Sequence, residues 1–289
     1  MSPVNYIVAT RPWSFTVPVM GVLLTSALVH AQHGMPLLNR GCLEVMTLCI
    51  CLQAAGNLLN SVFDYTYGVD NPATIGDRCL VDKKITVRGA LLFALVLATA
   101  GSWLVIPKLL APDRQFLYVF LASIALAVSY TAPPFKLKYR AMGDAVIFIC
   151  FGPLTMTGAA IVMTGAPQYW VLPYALPVTL LTEAILHANN TRDIKEDARC
   201  GIKTVAMLLG YQRSRTLYYA MVAGAYLSAL TLSMQYVGCC LVLLSVPLAL
   251  STLRSFSPPT MANMDEKTAQ LHLLFSLLLN VGVYYSPAV

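Results

Sequence analysis

Charge is what this sequence has least of. Asp, Glu, Lys and Arg make up only 11% of its 289 residues, where soluble domains carry about a quarter. That scarcity excludes an ordinary water-soluble surface. The net charge of +6 matters less than where the charges fall, and no nucleic-acid partner is expected. Histidine is rare, with four residues, and the eight cysteines form no C-x-x-C pair. Cys49, Cys51, Cys150, Cys239 and Cys240 lie inside apolar runs, where thiols act as small hydrophobes. Neither a disulfide framework nor a zinc site is expected. There is no linker and no low-complexity tract, so residues 1–289 read as a single domain. The first apolar run lacks the marks of a cleaved leader: one cation precedes it and no small-x-small site follows.

What the chain does have is hydrocarbon. Hydrophobic residues make up 57%, mean hydropathy is +0.67, and apolar segments of about twenty residues recur, the length that spans a bilayer. The runs are continuous rather than alternating, which excludes a barrel and leaves helices. The expected fold is all-α: a polytopic, multi-pass integral membrane protein with nine transmembrane helices near 14–31, 41–63, 87–106, 115–131, 144–164, 168–190, 216–236, 238–256 and 269–286. With the N-terminus inside, sixteen Lys and Arg fall on inner segments and three on outer ones, the asymmetry that sets orientation. A bacterial inner membrane and a eukaryotic organelle membrane both fit.

Two inner loops, 64–86 and 191–215, are polar and follow even-numbered spans. On a helix, Gln53, Asn57, Asn60 and Asp64 fall on one narrow stripe. Gly68, a candidate helix breaker, and Asp70 follow, then Asp77, Arg78, Asp82 and Lys83. The span at 168–190 ends alike. Asn189, Asp193 and Asp197 share one face, with Glu183, His187 and Asn190 in the same broad arc. Both read N-x-x-x-D, 129 residues apart, a pattern that suggests an old duplication.

Wet helix ends are ordinary, but two matched ones on the same membrane side are not. Polar stripes reaching into hydrocarbon are costly and mark function, and carboxylates at i and i+4 repel unless a cation sits between them. All-oxygen ligands point to Mg²⁺, which takes one or two carboxylates and keeps positions for phosphate oxygens. Arg78, Lys83, Lys84, Arg192, Lys195, Arg199 and Lys203 suit the remaining phosphate charge. The implied ligand has a diphosphate head and an apolar tail: a prenyl diphosphate, ionised by metal-assisted departure of its diphosphate.

Several stretches recur in similar form in one family. They are RPWSF at 11–15, GNLLNSVFDYTYGVD at 56–70, GDR at 76–78, YTAPPFKLKY at 130–139, GD at 143–144 and NNTRDIKEDARCGIKTVAMLLG at 189–210. In these, over nearly its whole length, the chain resembles the UbiA superfamily of intramembrane aromatic prenyltransferases, and within it the 1,4-dihydroxy-2-naphthoate prenyltransferase branch of menaquinone biosynthesis. The resemblance implies nine helices around a central cavity, with a polar cap on the cytoplasmic side made by the loops after the second and sixth helices. By motif position, Asn60, Asp64 and Asp70 would belong to a first Mg²⁺-diphosphate site and Asn189, Asp193 and Asp197 to a second. Asp64 and Asp193 are the residues expected to be essential. A Tyr and a Lys of the YTAPPFKLKY loop bind diphosphate in the family; Tyr130 and Lys138 match best, and Lys136 stays in play. Substrate contacts are also expected from Asn57, Arg78, Lys83, Asn190, Arg192 and Lys203. Arg11, with Trp13, is either an interfacial anchor or lies near the acceptor's carboxylate. Glu183 and His187 are either a buried hydrogen-bonded pair or proton acceptors, and His30 and His33 lie near the opposite surface.

The step from Asp64 to Asp70 is longer than in the ubiquinone branch, and Ser61 stands where that version has Asp. This departure favours naphthoate over 4-hydroxybenzoate as acceptor. The expected reaction is attack of the naphthalenediol on the allylic cation left when pyrophosphate departs. Loss of CO₂ and a proton, and then quinol oxidation, lead to demethylmenaquinone. Rival readings are another acceptor (4-hydroxybenzoate, homogentisate, haem, menadione) or a transporter, which also carries intramembrane carboxylates. The transporter is disfavoured because the polar residues cluster at one face rather than the midplane.

Overall fold

The computed structural model describes residues 2–70 and 78–286; Asp77 and the Gly76 of the GDR motif lie outside them. Among the described residues there is no β-strand, only an isolated bridge between Arg140 and Lys203. A short α1 (Pro3–Ala9) leads into α2 (Pro12–His33), α3 (Arg40–Thr66) and α4 (Val87–Leu104). Then come α5 (Gln115–Thr131), α6 (Gly143–Thr164), α7 (Tyr169–Arg192) and the short α8 (Ile194–Arg199). The chain finishes with α9 (Val205–Leu232), α10 (Val237–Arg254) and α11 (Met264–Tyr285).

Six of these segments, α2, α3, α4, α6, α7 and α10, are long and apolar enough to cross a membrane. The other three long segments fall short for readable reasons. Helix α5 has 17 residues, and α9 and α11 dilute their apolar content with groups such as Arg213, Arg215, His272 and Asn280. The largest departure from the expected boundaries is α9, which begins at Val205 rather than 216 and ends at Leu232. It opens with the short apolar turn 205–209, and the helical but polar residues 211–215 that follow are not registered by hydropathy. A break at Gly210, with φ 71°, separates 205–209 from the rest of the helix.

The helix ends follow from local chemistry. Asn39 caps α3 by accepting from the Cys42 amide at 3.0 Å; Thr86 does the same for α4 and Thr204 for α9. Pro153 inside α6 is accommodated by a π-turn over Cys150–Leu154. Apolar packing divides into three clusters. The largest joins α2, α6, α7, α9, α10 and α11 around Leu24, Met156, Leu181, Tyr218 and Phe275. A second joins α2, α3, α5 and α6, and a third α1, α3 and α4. Helices α10 and α11 cross at Gly238 and Gly282, each so close that a Cβ on one would run into the other's carbonyl oxygen. Leu91, Leu92, Leu95 and Val96 of α4 face outward, as a helix in lipid requires. Trp13, Trp103, Tyr118 and Tyr169 stand exposed at helix ends, the interfacial positions such rings favour.

Candidate active site at one end of the bundle

The segments expected on the inner side all meet at one end of the bundle. Helix α3 ends there because Gly68 takes a left-handed conformation, φ 74°, and the Val69 and Asp70 amides donate back to the Asp64 carbonyl at 2.8 and 3.2 Å. The α7–α8 segment closes the same way. Gly201 has φ 69°, and the Ile202 amide donates to the Asp197 carbonyl at 2.9 Å. In backbone terms the counterpart of Asp64 is therefore Asp197, one turn beyond the Asp193 that the N-x-x-x-D pattern pairs with it.

Asp64 is buried at 4% exposure, and both its oxygens are engaged. Lys138 Nζ lies 2.6 Å from Oδ2, and the Tyr139 hydroxyl donates to Oδ1 at 2.7 Å. Burial, reinforced by the Asp64 charge, pushes the Tyr139 hydroxyl's pKa far above its ordinary value. Lys136 sits 3.7 Å over the Tyr67 ring, and Tyr67 meets Tyr139 edge-on at 5.6 Å. Tyr130, the tyrosine favoured from the motif, is buried with its ring against Gly143; the tyrosine that bonds Asp64 is Tyr139. The hydroxyl of Tyr130 still lies within electrostatic reach of Asp64, Asp144 and Glu183.

The second acidic motif has its own cation. Arg192 grips Asp193 with two bonds, 2.8 and 2.9 Å, and donates to Asn189 Oδ1. It also reaches Asp265 of α11 at 3.0 Å. Arg192, expected to meet phosphate, is bonded to Asp193, Asn189 and Asp265 in this structure. Asp197 has its carboxyl pushed up to about 6, first by burial and then by the charge of Asp193, with Asp64 adding to it and Lys138 opposing. That coupling places the three carboxylates in one electrostatic neighbourhood. Cys200 Sγ lies 3.9 Å from the Gly68 carbonyl, linking the two loop ends. The 132–142 loop is tied to the second motif through its backbone: the Ala141 amide donates to Lys203 O at 2.6 Å, and the Lys203 amide to Tyr139 O at 3.2 Å.

The N-terminal segment completes the site's edge. Asn57 is buried and donates to Thr10 O and Ser14 Oγ at 2.8 and 2.9 Å, so it fastens RPWSF to α3. Arg11 lies across the next turn, donating to Ser61 Oγ at 3.1 Å. Asn60 and Asp70 are partly buried on either side of Asp64, and Asn190 is buried in α7. Arg78 and Lys84 both pair with Asp82, at 3.0 and 3.2 Å, in an exposed loop where such pairs contribute little. The Lys83 and Lys203 side chains are exposed. Sequence reasoning passed over Tyr139, Ser14, Asp144 and Asp265. Tyr139 ends the loop motif already singled out, and Asp265 stands in the first turn of a helix, where acids are common. Among the described residues, no three or more His, Cys, Asp or Glu converge as a ready metal-ligand cluster.

The fold and site define a multi-pass helical membrane protein with two opposed acidic motifs, each held by a basic residue, at one end of its bundle. The chain belongs to the UbiA prenyltransferase family, whose description matches residues 19–278. It is 34% identical to the human UbiA prenyltransferase domain-containing protein 1 over 290 residues, 98% of this chain and 84% of that protein. Two archaeal structures share the fold. A UbiA homologue from Aeropyrum pernix superposes with a TM-score of 0.70 at 19% identity, over 93% of this chain and 96% of that one. A homologue from Archaeoglobus fulgidus, bound to GPP and Mg²⁺, gives 0.62 at 16% identity, over 95% and 99%.

Proposed function

We propose that this protein transfers an isoprenyl group from a prenyl diphosphate to 1,4-dihydroxy-2-naphthoate, with Mg²⁺ as cofactor, in menaquinone biosynthesis. In this reading nine helices cross the membrane around a central cavity, α5, α9 and α11 joining the six most apolar, and the polar end faces the cytoplasm. The observation that carries it is the convergence of Asp64, Asp193 and Asp197 with Lys138 and Tyr139 at one end of an apolar bundle. The GPP and Mg²⁺ of the Archaeoglobus fulgidus homologue support the same chemistry.

The residues fit Mg²⁺. The donors are oxygens divided between two motifs, and burial first, then the neighbouring charges of Asp193 and Asp64, raise the Asp197 carboxyl. Mg²⁺ takes only one or two carboxylates with phosphate oxygens completing its shell, so a cluster of three protein ligands is not required. Asp64, Asp70, Asp193 and Asp197 would hold the ions, with Asn60 and Asn189 beside them. When bound, Mg²⁺ neutralises diphosphate charge and eases its departure. Lys138, which holds Asp64 in this structure, would supply positive charge to the diphosphate when Mg²⁺ is bound. Lys136, Lys83, Arg78 and Lys203 add positive charge around it, and Arg192 keeps Asp193 and Asn189 aimed. Tyr130 and Asn190 line the inner wall, and Asn57 holds Arg11 over the site's edge for the acceptor's carboxylate. The isoprenoid tail runs between helices toward lipid.

The test is Asp64→Asn and Asp193→Asn in purified protein with Mg²⁺, geranylgeranyl diphosphate and a panel of aromatic acceptors, products read by mass spectrometry. Each variant is expected to lose at least about 100-fold in kcat/KM, the scale of a lost electrostatic contact at a reacting charge. Full activity in both refutes the assignment; transfer by wild-type protein only to an acceptor other than the naphthoate refutes the acceptor.

A further inference from the structure

Deeper in the bundle than the diphosphate residues lies a second group of ionisable side chains that the proposed diphosphate site does not use. Glu183 is 4% exposed and His187 fully buried on α7, and Asp144 opens α6. His187 Nε2 lies 3.0 Å from the Ser214 carbonyl, an acceptor, so Nε2 carries the hydrogen and Nδ1 is left facing Asp144 Oδ1 at 3.8 Å. That Nδ1, that Oδ1 and both Glu183 oxygens are buried, and among the described residues none supplies them a hydrogen-bond donor. The Glu183 and Asp144 carboxyls adjoin each other, and two carboxyls cannot hydrogen-bond without a proton between them. The cluster is thus rich in acceptors and short of donors, in a setting where each unmet group is costly. It also adjoins the first site: Gly143, next to Asp144, packs against both the Tyr130 ring and the Lys138 backbone.

We propose that Glu183, with Asp144 and His187, receives a ring hydroxyl of the aromatic acceptor and holds its proton during prenyl transfer. The inference rests on the prenyl-transfer reading above. A phenolic or naphtholic O–H is the donor the cluster lacks. As the ring carbon bonds to the allylic carbon, the allylic C–O bond breaks and its electron pair leaves with the diphosphate. The Glu183–Asp144 pair already shares one proton, so the hydroxyl proton passes to its remaining carboxylate, and the ring oxygen becomes a carbonyl. The bond to the ring carboxylate then breaks as CO₂ leaves, its pair restores the aromatic ring, and the proton returns to oxygen. No net proton is gained or lost, so the cluster needs no path to water, in keeping with its burial. Asp144 and His187 act as positioning residues that share the proton and orient Glu183.

The experiment uses the full chain in nanodiscs. Glu183→Gln is expected to bind radiolabelled geranylgeranyl diphosphate with Mg²⁺ within about threefold of wild type and to lose transfer by about 100-fold or more in kcat, the scale of a lost general base; Glu183→Asp recovers part of the loss. Independently of folding of the variants, wild-type protein is treated with dicyclohexylcarbodiimide, which modifies protonated carboxyls in apolar surroundings, and mapped by mass spectrometry. Modification at Glu183 or Asp144 that is blocked by 1,4-dihydroxy-2-naphthoate, and not by geranylgeranyl diphosphate with Mg²⁺, supports the proposal. Modification indifferent to the naphthoate, or a Glu183→Gln kcat within about twofold of wild type, overturns it while leaving prenyl transfer intact. Absence of transfer by wild-type protein to any acceptor overturns the prenyl-transfer reading itself, and this inference with it.

Discussion

Removing Lys138 isolates the energetic core of the site. Its ammonium lies 2.6 Å from Asp64, with side chains 26% and 6% exposed. At an effective dielectric near 20, Coulomb attraction at that distance is about 6 kcal/mol, but both groups were desolvated to reach it, and Lys138 keeps some water. Breaking a buried pair by removing one partner costs about 3–5 kcal/mol; the remaining Tyr139 bond and partial exposure bring the expected loss for Lys138→Met to about 2–3 kcal/mol. Asp64→Asn in the same background should restore more than half, because the stranded charge is then gone. The assay is a double-mutant cycle on unfolding free energy in detergent with EDTA present. Mg²⁺ with prenyl diphosphate should shrink the Lys138→Met loss, since a cation replaces the ammonium at Asp64. Additivity of the two single losses to within about 0.5 kcal/mol, the scatter of independent sites, would refute the coupling.

Three further outcomes are expected. Asp197 sits near 6 in the fold, against an ordinary carboxyl near 3.9, so the fold favours its protonated form and stability falls as pH rises between those values. Thermal melts of wild type should show that fall, Asp197→Asn should flatten it, and the stabilisation on adding Mg²⁺ should be larger at pH 7.5 than at pH 5. Asn57→Ala removes the side chain that holds Thr10 and Ser14. It should cost about 1–3 kcal/mol and speed protease cleavage in residues 2–11; unchanged cleavage would show that the segment is held elsewhere. Gly282→Leu forces apart the α10–α11 crossing at Gly238 and should lower stability by more than about 3 kcal/mol, while Ala at Gly34, with open space around it, should cost only the strain of its positive φ.

The helices were legible because continuous apolar runs leave the backbone no alternative in lipid, and most expected boundaries lie within a few residues of those observed. The exception, α9, shows the limit: Tyr211 to Arg215 are helical but too polar for hydropathy to include. Asp64 was legible as the tip of a polar stripe, since helical periodicity carries that information. Contacts between distant segments were not. Nothing in the spacing of NNTRD says that Arg192 is committed to Asp265, or that Asn57 turns toward Thr10 and Ser14. The choice of Tyr139 over Tyr130 depends on how the 132–142 loop folds back, which its two prolines leave open. The match of Asp64 with Asp197 is likewise a property of the backbone turns, whereas the residue pattern aligned Asp64 with Asp193.

The 132–142 loop holds the first motif by its side chains, through Lys138 and Tyr139, and the second by its backbone, through Ala141 and Tyr139 to Lys203. It therefore behaves as a lever with two fulcra. A ligand that drew Lys138 away from Asp64 would pull on the same few residues whose backbone is bonded to Lys203. Should both acidic motifs take ligand as proposed, this shared loop predicts that they fill cooperatively rather than independently.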